Sequence, residues 1–274
     1  MNPYALSLDI DFLICFSDTH CGSVFGLMPP RIELADGNEI RYNEIQRWMW
    51  RCWNLAWEWA DQVTGGKKTA VACVGDAREG IHHGGNEILT TVGGDHNAIA
   101  VECIKPKVNG RRFLMSEGTE CHTHRSESDI GKAFGAIPFK SPARKHGSMG
   151  VYSWPQVDLN VRGCGGIIRH HIAVATRPWT EGSGLSAQLG ADRIEAARTD
   201  RKPPQFIVSG HRHRLGGFWD GDAEIATLPP WQALTRHGRK VVPAARLVVG
   251  MVVLDFRHAD KHNPPQVLKR RYYT

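Results

Sequence analysis

The chain has 274 residues, 41% of them apolar, and a formal net charge of +6, which is enough to bury the core of one α/β domain. Seven cysteines, an odd number with no Cys-x-x-Cys pair, exclude a disulfide framework or a zinc knuckle as the organising device. No apolar run reaches membrane-spanning length and no basic segment precedes an apolar stretch at the N-terminus, so the expectation is a soluble, cytoplasmic protein with no membrane partner.

Taken in order, Phe12 to Phe16 is a short apolar run that reads as a buried strand and stops at Ser17-Asp18-Thr19-His20. Alternate side chains of extended backbone point the same way, so Asp18 and His20 can converge beyond the strand end, as metal ligands do. Cys21 to Gly37, rich in Gly and Pro, is expected as a loop that walls a cleft or runs over the surface. Asn43 to Val63 reads as a helix closed by Gly65-Gly66. Ile45, Trp48, Met49, Cys52, Ala56, Trp59, Ala60 and Val63 make one apolar face, and Trp50, Trp53 and Trp57 fall on another side. A helix apolar on two sides is expected partly in the core and partly at a homo-oligomer interface formed through this Trp-rich helix, residues 43–63.

Thr69 to Val74 is a second strand, ending in Gly75-Asp76, whose carboxylate can bridge two cations. Arg78, His82 and His83 follow in a loop as candidate substrate contacts. Residues 86–105 read as a helix interrupted at Gly93-Gly94, with Asp95 capping its resumption, and Asn109-Gly110 as a hairpin turn. A third strand, Arg112 to Ser116, leads into Glu117-Gly118-Thr119-Glu120-Cys121-His122; His122 is the candidate general acid or phosphate contact, and His124 its rival.

Ser126 to Phe134 suggests a helix with an acidic first turn. Val157 to Val161 turns back through Arg162-Gly163 into Ile167-Ile168 as a hairpin that delivers His170-His171. Strand neighbours point to opposite faces, so one of the two histidines is expected to ligate and the other to pack or contact substrate. Thr176 to Trp179 is expected as a substrate-side loop, Ser183 to Arg198 as a helix, and Phe206 to Ser209 as a strand entering Gly210-His211-Arg212-His213, with Arg212 a further candidate substrate contact. Arg246 to Phe256 is a strongly apolar last strand with no candidate ligand.

Five strand-like runs thus deliver Gly, Asp or His at their carboxyl ends, where α/β sheets place their sites. The ordered set resembles the calcineurin-like metallophosphoesterases, whose motifs are Asp-x-His, Gly-Asp, Gly-Asn-His-(Asp/Glu), a single strand-end His, and Gly-His-x-His. Asp18/His20, Gly75-Asp76, Gly118 to His122, His170 or His171, and Gly210-His211-Arg212-His213 match them in order, over residues 12 to 214. The third motif departs: Thr119 stands where the family has Asn, and Thr119, Glu120, His122 and His124 are all open as its replacement. With the Gly75 to His83 run, this variation resembles a divergent, phage-associated branch near the DNA-repair exonucleases.

The resemblance implies one domain over residues 1–274, a four-layer α/β/β/α sandwich of two mixed sheets flanked by helices. It implies Asp18, His20, Asp76 and His213 on one divalent metal, and Asp76, His211 and one of His170 and His171 on a second. Such donors suit manganese foremost, and also iron, zinc or nickel. The implied reaction is hydrolysis of a phosphate ester by a water activated between two cations about 3.5–4 Å apart, with His122 assisting the leaving group. Basic clusters at Lys105 to Arg112, Arg144 to His146, Arg198 to Lys202, Arg236 to Lys240 and Lys269 to Arg271 favour a phosphodiester, DNA or RNA included. Aromatic interleaving of the kind single strands use is confined to Phe218-Trp219 and Arg271-Tyr272-Tyr273. The alternatives are a phosphomonoesterase or cyclic-nucleotide phosphodiesterase, and a metal-binding scaffold without turnover.

Overall fold

The computed structural model describes residues 5–82, 87–108, 110–123, 126–139, 150–171, 181–236 and 247–273. One mixed sheet runs in the order β13 (Gln266–Tyr273), β12 (Val248–Asp255), β2 (Phe12–Phe16), β5 (Thr69–Val74) and β6 (Arg112–Ser116). A second runs β1 (Leu6–Leu8), β7 (Val157–Val161), β8 (Cys164–Arg169), β9 (Phe206–Ser209), β11 (Glu224–Thr227) and β10 (Gly216–Trp219). A hairpin of β3 (Arg31–Glu33) and β4 (Glu39–Arg41) stands apart.

The central strands are apolar on both faces because both faces are covered. Phe12, Ile14 and Phe16 of β2 point to an outer core closed by α1 (Glu44–Thr64), α2 (Gly93–Val108) and α4 (Ser126–Phe134), through residues such as Met49, Ile99 and Ile130. Leu13 and Cys15 point the other way, into a core between the sheets that includes Leu159, Ile168, Phe206 and Val208. α5 (Glu181–Arg198) covers the far face of the second sheet, Leu185 and Leu189 packing on Ile207 and Ile225. The result is the four-layer α/β/β/α sandwich that the motif resemblance implies. No helix among the described residues is long and apolar enough to cross a membrane.

Topology then sets where the chemistry goes. β2, β5 and β6 are parallel neighbours, so the segments after them emerge at one end of their sheet. β8 and β9 are parallel neighbours in the other sheet and open at the same pole, since His170 reaches Asp76 there.

Several expectations are corrected. Trp53 and Trp57 do not form a second side of α1. They are fully buried with Met49, Cys52 and Ala56, and the ring of Trp53 meets those of Phe16, Trp57 and Trp231 at centroid distances of 5.2, 5.6 and 4.9 Å. A bulky indole widens the buried arc beyond what strict 3.6-residue spacing suggests. The helix is bounded by local chemistry: Asn43 and Gln46 form a capping box, and Gly65 adopts the left-handed C-cap at φ 54°.

α2 begins at Gly93 rather than being interrupted there, and Gly110 stands between a helix and a strand rather than in a hairpin, since β6 pairs parallel to β5, while Asn109 lies outside the described residues. Asp95 sits in the first turn of α2 and accepts from the Ala35 N–H and the Thr90 hydroxyl, which makes it a brace. The segment from Thr176 to Trp179 and the basic cluster from Arg144 to His146 lie outside the described residues.

Replacing Trp53 by Ala removes a fully buried indole whose Nε1 donates to the Cys103 carbonyl at 3.3 Å. Destabilisation of about 3–5 kcal/mol is expected in urea unfolding. A loss below about 1 kcal/mol would contradict the packing described.

Candidate metal centre

Seven described non-glycine residues have positive φ, and five of them are Asp18, His20, Asp76, His211 and His213, at 55°, 42°, 48°, 67° and 50°. Left-handed backbone is disfavoured for such residues and clusters where function demands it. Here it turns the chain sharply at each strand end, so that side chains from both sheets aim into one space.

Glycines make the approach possible. A Cβ on Gly118 would lie 2.2 Å from Asp76 Oδ1, and one on Gly75, itself at φ 81°, would lie 2.4 Å from His170 Nδ1. The Gly-Asp and Gly-Thr pairs are therefore steric requirements of the centre.

Two donor groups share it. In the first, His213 Nε2 is 3.4 Å and His20 Nε2 4.0 Å from Asp18 Oδ1, His20 Nε2 is 3.9 Å from Asp76 Oδ2, and the two histidine nitrogens are 3.2 Å apart. In the second, His170 Nε2 is 3.0 Å from Asp76 Oδ2, and the Thr119 hydroxyl stands 3.1 Å from Asp76 Oδ2, 3.3 Å from His170 Nε2 and 3.3 Å from His211 Nδ1. Asp76 belongs to both groups. Asp18 is further fixed by the Ser17 hydroxyl and by the His211 N–H at 3.1 Å.

The supporting contacts set the tautomers. His170 Nδ1 lies 2.7 Å from the Val74 carbonyl, which only accepts, so Nδ1 carries the proton and Nε2 presents a lone pair in the neutral ring. His20 Nδ1 lies 2.8 Å from Glu79 Oε2, with the same consequence. Two imidazole lone pairs and two buried carboxylates thus face one another, an arrangement that repels itself unless positive charge enters. These oxygen and nitrogen donors fit divalent cations, and no thiolate stands among them.

The ionisation pattern agrees. Burial alone would lower the pKa of both histidines, but for His20 the carboxylates of Glu79, Asp76 and Asp18 outweigh it, and for His170 those of Asp76 and Asp18 do, raising each to about 9. Burial would raise Asp76, yet His170, His20 and His122 hold it well below the usual carboxylate range. Protons on His20 and His170 supply the positive charge that the carboxylates call for.

Glu79 was not singled out by the motifs. Beyond His20, its carboxylate lies 2.9 Å from His82 Nε2, accepts from Gln232 Nε2 at 2.9 Å, and its carbonyl accepts from His122 Nδ1 at 2.7 Å. Glu127 was missed as well. Buried in the first turn of α4, it accepts from the Gly118 N–H at 2.6 Å and faces the Ala77 N–H at 3.4 Å, clasping the second and third motifs together. Burial, then the charge of Asp76, pushes its carboxyl up to about 8. The only sequence signals were an acid three residues past Asp76 and one in a helix's first turn.

His122 stacks edge-on against His20 and His82, with centroids at 4.6 and 4.3 Å. Burial and then His20 lower its pKa to about 4, so the ring is neutral with Nδ1–H on Glu79 and a bare Nε2. His170 and His171 lie beyond the end of β8, so strand alternation does not separate them. His171 is exposed and stands 4.5 Å from His211, ring to ring, as part of a rim trio with His170.

Other expectations are redistributed. Glu120 is exposed at the start of α3 (Glu120–Thr123) and joins none of the donor groups. Arg78, expected at the substrate, is buried and braces the site instead: its guanidinium donates to the His122 carbonyl, the Gly93 carbonyl and Asn97 Oδ1. Arg212 is half-buried between His211 and His213 in the chain. His83 and His124 lie outside the described residues. A cleft of about 770 Å³ opens at the opposite pole, lined by Lys67, Lys68, Arg111 and Arg112, but Lys68 and Arg111 are paired there with Asp9 and Asp61 and no ligand residue reaches it.

No family model and no curated protein matches the sequence. Among solved structures the chain is similar to vacuolar protein sorting 29 from Cryptosporidium parvum, at 13% identity over 97% of this chain and 100% of that one, with a TM-score of 0.43. It is similar to a conserved protein from Streptococcus pneumoniae described as a predicted phosphoesterase, at 11% identity over 97% and 99%, TM-score 0.36. It is also similar to a novel archaeal phosphodiesterase, at 9% identity over 96% and 99%, TM-score 0.42.

Adding Mn²⁺ or Zn²⁺ to the metal-free chain near neutral pH should displace the protons on His20 and His170, so affinity should rise with pH up to about 9. Calorimetry in buffers of different ionisation enthalpy measures the release; none would contradict the arrangement. Glu79→Gln should weaken metal binding about 10–100-fold in chelator competition, by loosening His20. Unchanged affinity would show that Glu79 does not orient the ligand.

Proposed function

We propose that this chain is a metal-dependent phosphoesterase of the calcineurin-like type, acting on phosphodiesters and on nucleic acid among them. The observation that carries the reading is the double donor group around Asp76, built from left-handed strand ends of both sheets. In it, Asp18, His20, Asp76 and His213 would hold one divalent cation, manganese first, and Asp76, Thr119, His170 and His211 the other. Cations bound there would acidify a water and neutralise phosphoryl oxygens as the ester is attacked.

The protein's own part is positioning and proton handling. The Thr119 hydroxyl lies among Asp76, His170 and His211, the place the family gives to Asn, so it replaces that ligand with a shorter oxygen donor. His122 enters the reaction neutral, with its Nδ1–H on the Glu79 carbonyl. A phosphoryl anion beside it offsets the effect of burial, so Nε2 takes a proton from solvent and then gives it to the leaving oxygen. Arg78 holds the His122 carbonyl in place while this happens.

Manganese-dependent hydrolysis of bis-p-nitrophenyl phosphate should exceed that of p-nitrophenyl phosphate and should vanish in Asp76→Asn. His122→Ala should cost about 10²–10⁴-fold with alkoxide leaving groups, and less with p-nitrophenolate, which needs no proton. Silence on both esters with metal bound would refute the enzyme and leave a metal-binding scaffold.

A further inference from the structure

The two aromatic and basic segments that stand far apart in the sequence, Phe218-Trp219 and Lys269 to Tyr273, meet on one flank of the sandwich. β10 is the outermost strand of the six-stranded sheet and β13 that of the five-stranded sheet. Lys269, Arg271 and Tyr273 share the face of β13 that carries Val267, which packs against the core between the sheets. On β10, Gly217 and Trp219 share a face.

Lys269 joins the two edges. Its Nζ lies 2.6 Å from the point a Gly217 Cβ would occupy, so the absent side chain is what admits the lysine. Exposed rings and cations line the opening: Trp219 is 65% and Tyr273 49% exposed, and the guanidinium of Arg271 lies 5.4 Å from the centroid of Tyr273.

Acidic groups near the flank are few and occupied. Glu224, opposite Trp219, sits beside Lys269; burial pushes its carboxyl up while Lys269 works the other way. Asp220 and Asp222 are turned to Arg193.

The flank also leads to the metal centre. Tyr273 pairs with Val248, and β12 runs antiparallel to β2, so the Tyr273 end of β13 is the end at which β2 delivers Asp18. β10 starts at Gly216, directly after the His211 and His213 turn, and runs away from the centre toward Trp219.

We propose that this flank is a track for single-stranded nucleic acid, with bases stacked on Trp219 and Tyr273 and phosphates held by Lys269 and Arg271. It rests on the phosphodiesterase reading and deepens it. A single strand fits because its bases are free to stack on exposed rings, whereas a duplex keeps them inside.

Fluorescence anisotropy with labelled oligothymidylate, in EDTA so that nothing is cleaved, tests it on the full chain. Trp219→Ala/Tyr273→Ala should weaken binding at least about tenfold, and Lys269→Ala/Arg271→Ala should also flatten the salt dependence, by about 0.7 in log–log slope for each phosphate no longer held. A duplex of equal length and an acidic peptide should each bind at least about tenfold more weakly than the single strand. Oligothymidylate binding unchanged in both variants, or a duplex or acidic peptide binding as tightly, would overturn the track. Both variants should keep wild-type turnover of bis-p-nitrophenyl phosphate, which separates the track from the metal centre: failure of that turnover in the parent chain refutes the enzyme reading on its own.

Discussion

Asp18 and Asp76, both buried, face imidazole nitrogens whose partners across the ring already carry their protons, and this crowding of lone pairs is the constraint on which the centre depends. Such an assembly does not hold itself together in a low-dielectric interior. It persists because His20 and His170 take up protons, and under the proposed function divalent cations would take their place. The left-handed backbone at Asp18, His20, Asp76, His211 and His213 adds a cost on the order of 1–3 kcal/mol each, tolerated because each turn is anchored at its base by a strand buried on both faces.

The two sheets have a division of labour that follows from this. The five-stranded sheet supplies the carboxylates and the threonine from three parallel neighbours, whose register keeps the strand ends level. The six-stranded sheet supplies His170 and the His211/His213 pair. Side-chain contacts then lock the motifs to one another. Glu127 joins the turns after β5 and β6, while Glu79 links His20, His82 and Gln232 through its carboxylate and His122 through its carbonyl. The candidate ligands are thus preorganised by neighbours that would not themselves touch a metal.

The strands that carry the candidate ligands were legible because an apolar run ending in Gly-Asp or Gly-His is a local pattern, and local patterns survive in sequence. Trp53 and Trp57 were misread because which side of α1 is buried depends on Phe16 and Trp231, distant partners that periodicity does not see. β10, with two glycines, and β13, with three consecutive cations, lack the apolar signature of a strand because they are edges. Thr119 could be named as a candidate ligand, but its hydroxyl's place among Asp76, His170 and His211 is a fact of tertiary packing. The roles of Glu79 and Glu127 have the same origin, since nothing in either local sequence announces a partner elsewhere in the chain.

The central claim is that Asp76 lies between two cation sites rather than beside one. Anomalous diffraction from crystals soaked in Mn²⁺ tests it directly. Two peaks about 3.5–4 Å apart, with the Asp76 carboxylate between them and the Thr119 hydroxyl on one, are the expected result. A single peak held by Asp18, His20 and His213, with Asp76 and Thr119 still hydrogen-bonded to each other, would contradict it.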